Sequence, residues 1–201
     1  FKVRIKTPGD NQTFYFNIVA RGKFFVDWGD GNREIIDLTD IDLSNIDLSA
    51  LEIQHTYSSA GEYTVSLGGR ATEYAEQSDS SLVVPADSNP MSIPAISFEG
   101  NPYVTEIAGS LSAVFPTLDS GENPSFFGLF AFCQNLTGKI PEKLFAGIRG
   151  QPSFAMYSGL FFETGISGTI PDGLFGDLSG EWTEGLFDYV FAGCAGLTGE
   201  I

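Results

Sequence analysis

The sequence predicts a chain in two parts: an all-β sandwich over residues 1–70 and a solenoid of stacked coils over residues 96–201, with residues 71–95 as junction or cap. The first part is built of short β-branched and aromatic segments separated by Gly, Pro, Asn and Asp, the pattern of a multi-stranded sandwich. The second part repeats itself every 30 or 31 residues, a period that marks stacked supersecondary units. Charge divides the same way, with a net of −3 over residues 1–70 and −13 over residues 71–201.

In the first part, Lys2–Lys6 alternates as KVRIK, Thr13–Val19 reads TFYFNIV, Phe24–Trp28 reads FFVDW and Glu62–Leu67 reads EYTVSL, four strand candidates. VDWGDGN at Val26–Asn32 runs on from the third, and HTYSSAGEYTVSL at His55–Leu67 ends in the fourth. Gly29, Asp30, Gly31 and Asn32 suit a tight hairpin turn, with Gly accepting positive φ and Asp capping local amides. Trp28 is expected to anchor the core, and His55 and Tyr57 to tie their polar atoms to the turn. An EF-hand loop does not fit, because from Asp27 the alternate ligand positions fall on Gly29 and Gly31. A looser surface cation site would rest on Asp27 and Asp30; no metal is otherwise expected. Together the two motifs are similar to the PKD domain, an Ig-like sandwich common in extracellular proteins, which would cover about the first 70 residues.

Ile36–His55 divides into IDLTD, IDLSN, IDLSA and LEIQH. These four units resemble a pentapeptide repeat, but one coil has no neighbour to stack on, so an insertion packing on the sandwich is the preferred reading. Asp37, Asp42 and Asp47 would then form a solvated row. Residues 71–95 hold EQSDSS, LVVP and the prolines Pro85, Pro90 and Pro94, composition suited to a linker with a docking apolar segment.

The repeat is clearest from Phe126 onward. Aligned on Leu136, Ile166 and Leu197, three copies read LFAFCQNLTGKIPEKLF, GLFFETGISGTIPDGLF and YVFAGCAGLTGEI. Phe130, Leu160 and Phe191 precede the anchor by six; Ile140, Ile170 and Ile201 follow it by four. Gly138, Gly168 and Gly199, with Pro141 and Pro171, mark the bends. No single copy can bury its aromatics, so stacking is obligatory. Thirteen of the 18 Phe lie from Phe98 onward, consistent with a Phe ladder along the stack. Ile96–Phe115 reads as a degenerate first repeat, with Phe98 six before Val104.

The pattern FAxCxxLTGxIPxxLF resembles the BspA-type leucine-rich repeat of bacterial surface proteins. The resemblance implies a right-handed leucine-rich-repeat solenoid, with short strands and helical or 3-10 turns, displayed on a cell surface for adhesion or ligand capture. Cys133 and Cys194 would lie two coils and about 10 Å apart, beyond disulfide reach, so two free buried thiols are expected.

The charge of −16 repels phosphate backbones and anionic lipid, which argues against nucleic-acid and membrane-surface partners. No apolar run reaches 18 residues, so no span is expected. The chain begins at Phe1 and ends within a repeat, which reads as a trimmed product with anchoring through a removed N-terminal segment. An uncapped last coil would also offer a surface for end-to-end self-association. There is no nucleophile elbow, phosphate loop or zinc motif, and the single His cannot supply a metal triad. The expected function is a non-catalytic adhesion or ligand-binding protein of the bacterial cell surface or extracellular space, without cofactor, engaging a host or matrix protein or a glycan. A structural spacer is the alternative; a glycan-active enzyme with a carboxylate pair comes last. Tyr157, Trp182 and Tyr189 are the candidate ligand-binding residues: sharing one solvent face would favour binding, and burial of all three the spacer.

Overall fold

The computed structural model describes residues 1–44, 51–75 and 92–198. The N-terminal part contains β1 (Lys2–Thr7), β2 (Gln12–Ile18), β3 (Ala20–Asp27), β4 (Arg33–Asp37), β5 (Glu52–Tyr57), β6 (Gly61–Tyr74), β7 (Ile96–Ser97) and β8 (Val104–Ala108). They form a five-stranded sheet, β4-β3-β6-β1-β8, and a three-stranded sheet, β5-β2-β7. Every pairing within them is antiparallel. Alternation sets which side faces in: β1 buries Val3, Ile5 and Thr7, and β2 buries Phe14, Phe16 and Ile18. The sheets meet where Phe14 and Phe16 pack on Trp28, with ring centroids 6.4 and 6.0 Å away.

Each of the four strand candidates falls on a strand, although Val19 and Trp28 lie just past β2 and β3 and β6 runs on to Tyr74. Both β7 and β8 come from the segment read as a first repeat, yet they pair with β2 and β1. The first and last of the five-residue units contribute to strands. Ile36 and Asp37 end β4, and Glu52–His55 belong to β5. Leu43 packs with Val19 and Ala75 in a small satellite cluster. Asp37 binds Lys23 and Thr39, and Asp42 binds Ser44; Asp47, in residues 45–50, and most of the junction, 76–91, lie outside the described residues, as does Ile201.

The leucine-rich-repeat solenoid is the expectation that fails. No helix occurs among the described residues from Ile96 onward, and each repeat supplies only two- or three-residue strands: β9 (Arg149–Gly150), β10 (Ser167–Thr169), β11 (Asp177–Leu178) and β12 (Gly196–Thr198). β10 pairs with β12, and β9 with β11, both in parallel. The rest of each repeat is a chain of turns with an alternating hydrogen-bond pattern. The N–H groups of Phe126, Gly128, Phe130 and Phe132 donate to the carbonyls of Met156, Ser158, Leu160 and Phe162 in the next layer, at 2.8–3.0 Å. Those of Leu129, Ala131 and Cys133 donate three residues back, to Phe126, Gly128 and Phe130. A 3-10 helix would turn every N–H inward and a strand would turn none, so this backbone can be neither.

A left-handed residue recurs every fourth position: Gly128 and Phe132, then Ala155, Gly159 and Glu163, then Gly185, Tyr189 and Gly193. These sites let each turn reverse while keeping alternate amides aimed at the neighbouring layer. Two aromatic ladders result. Phe98, Phe130, Phe161 and Phe191 stack at 5.5, 5.7 and 5.9 Å with planes within 10°. Phe126, Tyr157 and Phe187 stack four residues earlier, at 6.0 and 5.9 Å. The middle copy has one residue fewer between ladder ring and anchor. Its ring is therefore Phe161 and not Leu160, and the position equivalent to Cys133 and Cys194 is Thr164, as the turn bonds from Cys133, Thr164 and Cys194 to Phe130, Phe161 and Phe191 show.

Layers and sandwich share one core. Phe98 stacks on both Phe16, at 5.2 Å, and Phe130; Phe1 touches Phe130; and Thr137 donates to Thr105 of β8, so the sandwich edge starts the layer stack.

Candidate functional site

The Trp28–Asn32 turn accounts for the first pair of motifs. Trp28 N–H donates to the Asn32 carbonyl, and Gly29 and Gly31 have φ of 81° and 97°. Asp27 accepts from the Gly29 amide and from Arg33; Asp30 accepts from the Asn32 amide and side chain. His55 lies 2.8 Å from Asp30 through Nε2 and stacks on Trp28 at 4.9 Å, while Tyr57 donates its hydroxyl to the Trp28 carbonyl. Burial opposes ionisation of Asp30, but the bonds from His55 and Asn32 outweigh it and hold its carboxyl below the ordinary value. Asp27 and Asp30, the candidates for a surface cation, thus spend their oxygens on the turn itself. Among the described residues no three His, Cys, Asp or Glu side chains gather as a metal site.

Both cysteines are free. Cys133 is buried, with its thiol on the Phe98 carbonyl, and burial pushes that thiol up to about 12. Cys194 is only half-buried, because it lies in the last described layer; its thiol bonds the Phe161 carbonyl. No helix among the described residues is long and apolar enough to cross a membrane.

The three aromatic candidates do not share a face. Tyr157 is a core residue: it is fully buried in the second ladder, and its hydroxyl donates to the Phe175 carbonyl. Trp182 is 70% exposed and packs edge-on against Phe187, beside Ile170, Pro171 and Leu178. Tyr189 is also 70% exposed but stands in a different groove.

That second groove, about 310 Å³, is a largely apolar concave surface on the layers. Gly128 and Gly159, stacked in successive left-handed sites, form its floor; Tyr189, in the equivalent site of the next layer, rises at one end. Phe132 and Phe162 form a wall, edge to face at 5.1 Å, and Phe162 meets Tyr189 edge-on at 6.1 Å. Glu99 lies at the far end, and burial raises its carboxyl above the ordinary value. Phe132 and Tyr189 have φ of 59° and 56°, conformations that bulky residues rarely adopt, and both rings face solvent, Phe132 at 45%. Where the ladder's other layers need this turn beside Phe98 and Phe191, they use Gly100 and Gly193.

Of the three aromatic candidates only Tyr189 lines this groove; Phe132, Phe162 and Glu99 were not among them, because the sequence assigned such Phe to the core. Phe132 stands two after its ladder ring, as Gly100 and Gly193 do, and that departure is the signal that could have found it. No protein family, curated protein or solved structure matches this chain.

Proposed function

We propose that the protein is a non-catalytic binding protein of the bacterial cell surface or extracellular space, which holds a basic segment of a host or matrix protein in the groove of Phe132, Phe162 and Tyr189. What carries this reading is the pair of strained, solvent-facing aromatics: left-handed backbone costs about 1–2 kcal/mol for a residue with a Cβ, and such strain collects at ligand clamps. The chemistry follows from the lining. Aromatic faces attract a Lys or Arg head through their quadrupoles, the apolar floor receives its methylene stem, and Glu99 supplies the counter-charge. A partner segment with a basic side chain is also drawn by the net charge of −16. A neutral glycan would use the rings but not the charge.

The test is a binding screen of the purified protein against Lys/Arg-rich peptides, matrix proteins and a glycan array, with Phe132→Ala, Tyr189→Ala and Glu99→Gln. Saturable binding of basic peptides, weakened about tenfold or more by each ring truncation, supports the reading. Binding confined to glycans and indifferent to Glu99→Gln would replace the partner class, and silence across all arms favours the spacer.

A further inference from the structure

We infer that β4 is a homodimerisation edge: two copies of this chain join β4 to β4 in antiparallel, about a two-fold axis through Ile35, to make a continuous ten-stranded sheet. β4 ends its sheet, and among the described residues no strand pairs with its outer side. The flanking bonds, Trp28 to Asn32 and Leu38 to Gly22, fix the alternation in the β3–β4 ladder. Glu34 and Ile36 therefore bond β3, while Arg33, Ile35 and Asp37 turn their N–H and C=O groups to the open edge. These are the groups that an antiparallel pair centred on Ile35 would use, matching 35 with 35, 33 with 37 and 37 with 33.

Side chains on the outer face agree with that register. Phe25 and Ile35 are directly paired and are 53% and 78% exposed, large apolar side chains left to water at a sheet edge. Above and below them run two ion pairs, Lys23 with Asp37 at 2.9 Å and Arg33 with Asp27 at 2.8 Å. The two-fold operation continues each row in alternating sign: Lys23, Asp37, then Arg33 and Asp27 of the second copy. The middle row becomes Phe25, Ile35, Ile35, Phe25. On the opposite face Glu34 meets Ile36 of the second copy and no second carboxylate. A guarded edge would place a charge at its centre; this one has an apolar centre and self-complementary ends.

Sedimentation velocity of the whole chain over a concentration series tests the inference. The expected result is a monomer–dimer equilibrium that Ile35→Lys abolishes, because it sets two ammonium groups on the axis. Arg33→Asp should weaken it about tenfold or more, since both symmetry-related pairs become repulsive. Arg33→Asp combined with Asp37→Arg should restore it. That double variant worsens both ion pairs within each copy, so a rescue cannot come from the fold, and circular dichroism checks that each variant is folded. A chain monomeric throughout, a dimer indifferent to Ile35→Lys, or a double variant no better than the single one overturns the inference; indifference would place self-association at another surface, such as the last layer.

Discussion

The sandwich and the stacked layers solve one problem, the pairing of buried backbone groups, in two ways. In the sandwich, extended strands exchange hydrogen bonds side by side, and a short polar network around Trp28, Asp30, His55 and Tyr57 fixes the turn. In the layers, alternate amides bond within a turn and across to the next layer, which demands left-handed residues at every fourth site. The sandwich can therefore be read from alternation, whereas the layers depend on backbone conformations that side chains announce only weakly. Where the layers put aromatics into those conformations, a candidate binding surface appears.

Phe161→Ala strikes the comparison hardest. Phe161 is fully buried between Phe130 and Phe191, and its truncation is expected to cost about 3–5 kcal/mol. Trp28 reports on the sandwich and Trp182 on the layers, and the core between them is continuous. Denaturant unfolding followed by fluorescence in single-Trp versions, Trp182→Phe and Trp28→Phe, should show one midpoint shifted equally at both probes. A Trp28 transition that stays in place would mean that the two regions unfold independently.

Asp30→Ala attacks the sandwich's own device. It removes the acceptor of the Asn32 amide and of His55, both bonds lying at the surface, and should cost about 0.5–1.5 kcal/mol. The acid limb should change as well. Because the folded carboxyl lies below its ordinary 3.8, its contribution is present above that value and is lost as pH falls through the lower, folded one. Urea midpoints measured between pH 5 and pH 2 should therefore fall more steeply for the natural protein than for the variant.

Glu163→Gly tests the layers' device. Glu163 has φ of 54° at the site where the neighbouring layer carries Gly193, so glycine removes the Cβ penalty and should raise stability by about 0.5–1 kcal/mol, despite added chain entropy in the unfolded state. Unchanged or lower stability would show that the left-handed site is not under strain, and would weaken the argument from Phe132 and Tyr189.

How much of this was legible follows from the same contrast. Period-two alternation exposed β1 and β2, and the Gly-Asp-Gly turn with His55 and Tyr57 was readable because each residue has a distinctive local role. The repeat's period was readable too, but its architecture was not: Leu and Gly spacings common to many stacked folds suggested helical or strand turns, and only the backbone shows amides alternating between layers. Anchoring the alignment on Leu136, Ile166 and Leu197 hid the one-residue deletion in the middle copy and made Leu160 the ladder residue. Aligning on aromatic pairs four apart, Phe126 with Phe130, Tyr157 with Phe161 and Phe187 with Phe191, would have placed Tyr157 in the core. The exposure of Trp182 and Tyr189 was left open by the sequence, and nothing in their spacing revealed that they stand in separate grooves.

The smallest expected effect concerns the two thiols, which differ only in how completely the layers cover them. Cys133 is sealed beneath the Phe98 carbonyl, and burial raises its thiol to about 12, which disfavours the reactive thiolate at pH 8. Cys194 is half-buried. A thiol reagent added to the native protein at pH 8 should thus modify one cysteine promptly and the second only at the rate at which the stack opens. Peptide mapping identifies which is which, and Phe161→Ala should accelerate the slow site. Equal rates at both cysteines would mean that the interlayer bonds open on the timescale of labelling, and the layers, unlike the sandwich, would then be a dynamic stack whose groove is shaped by what it holds.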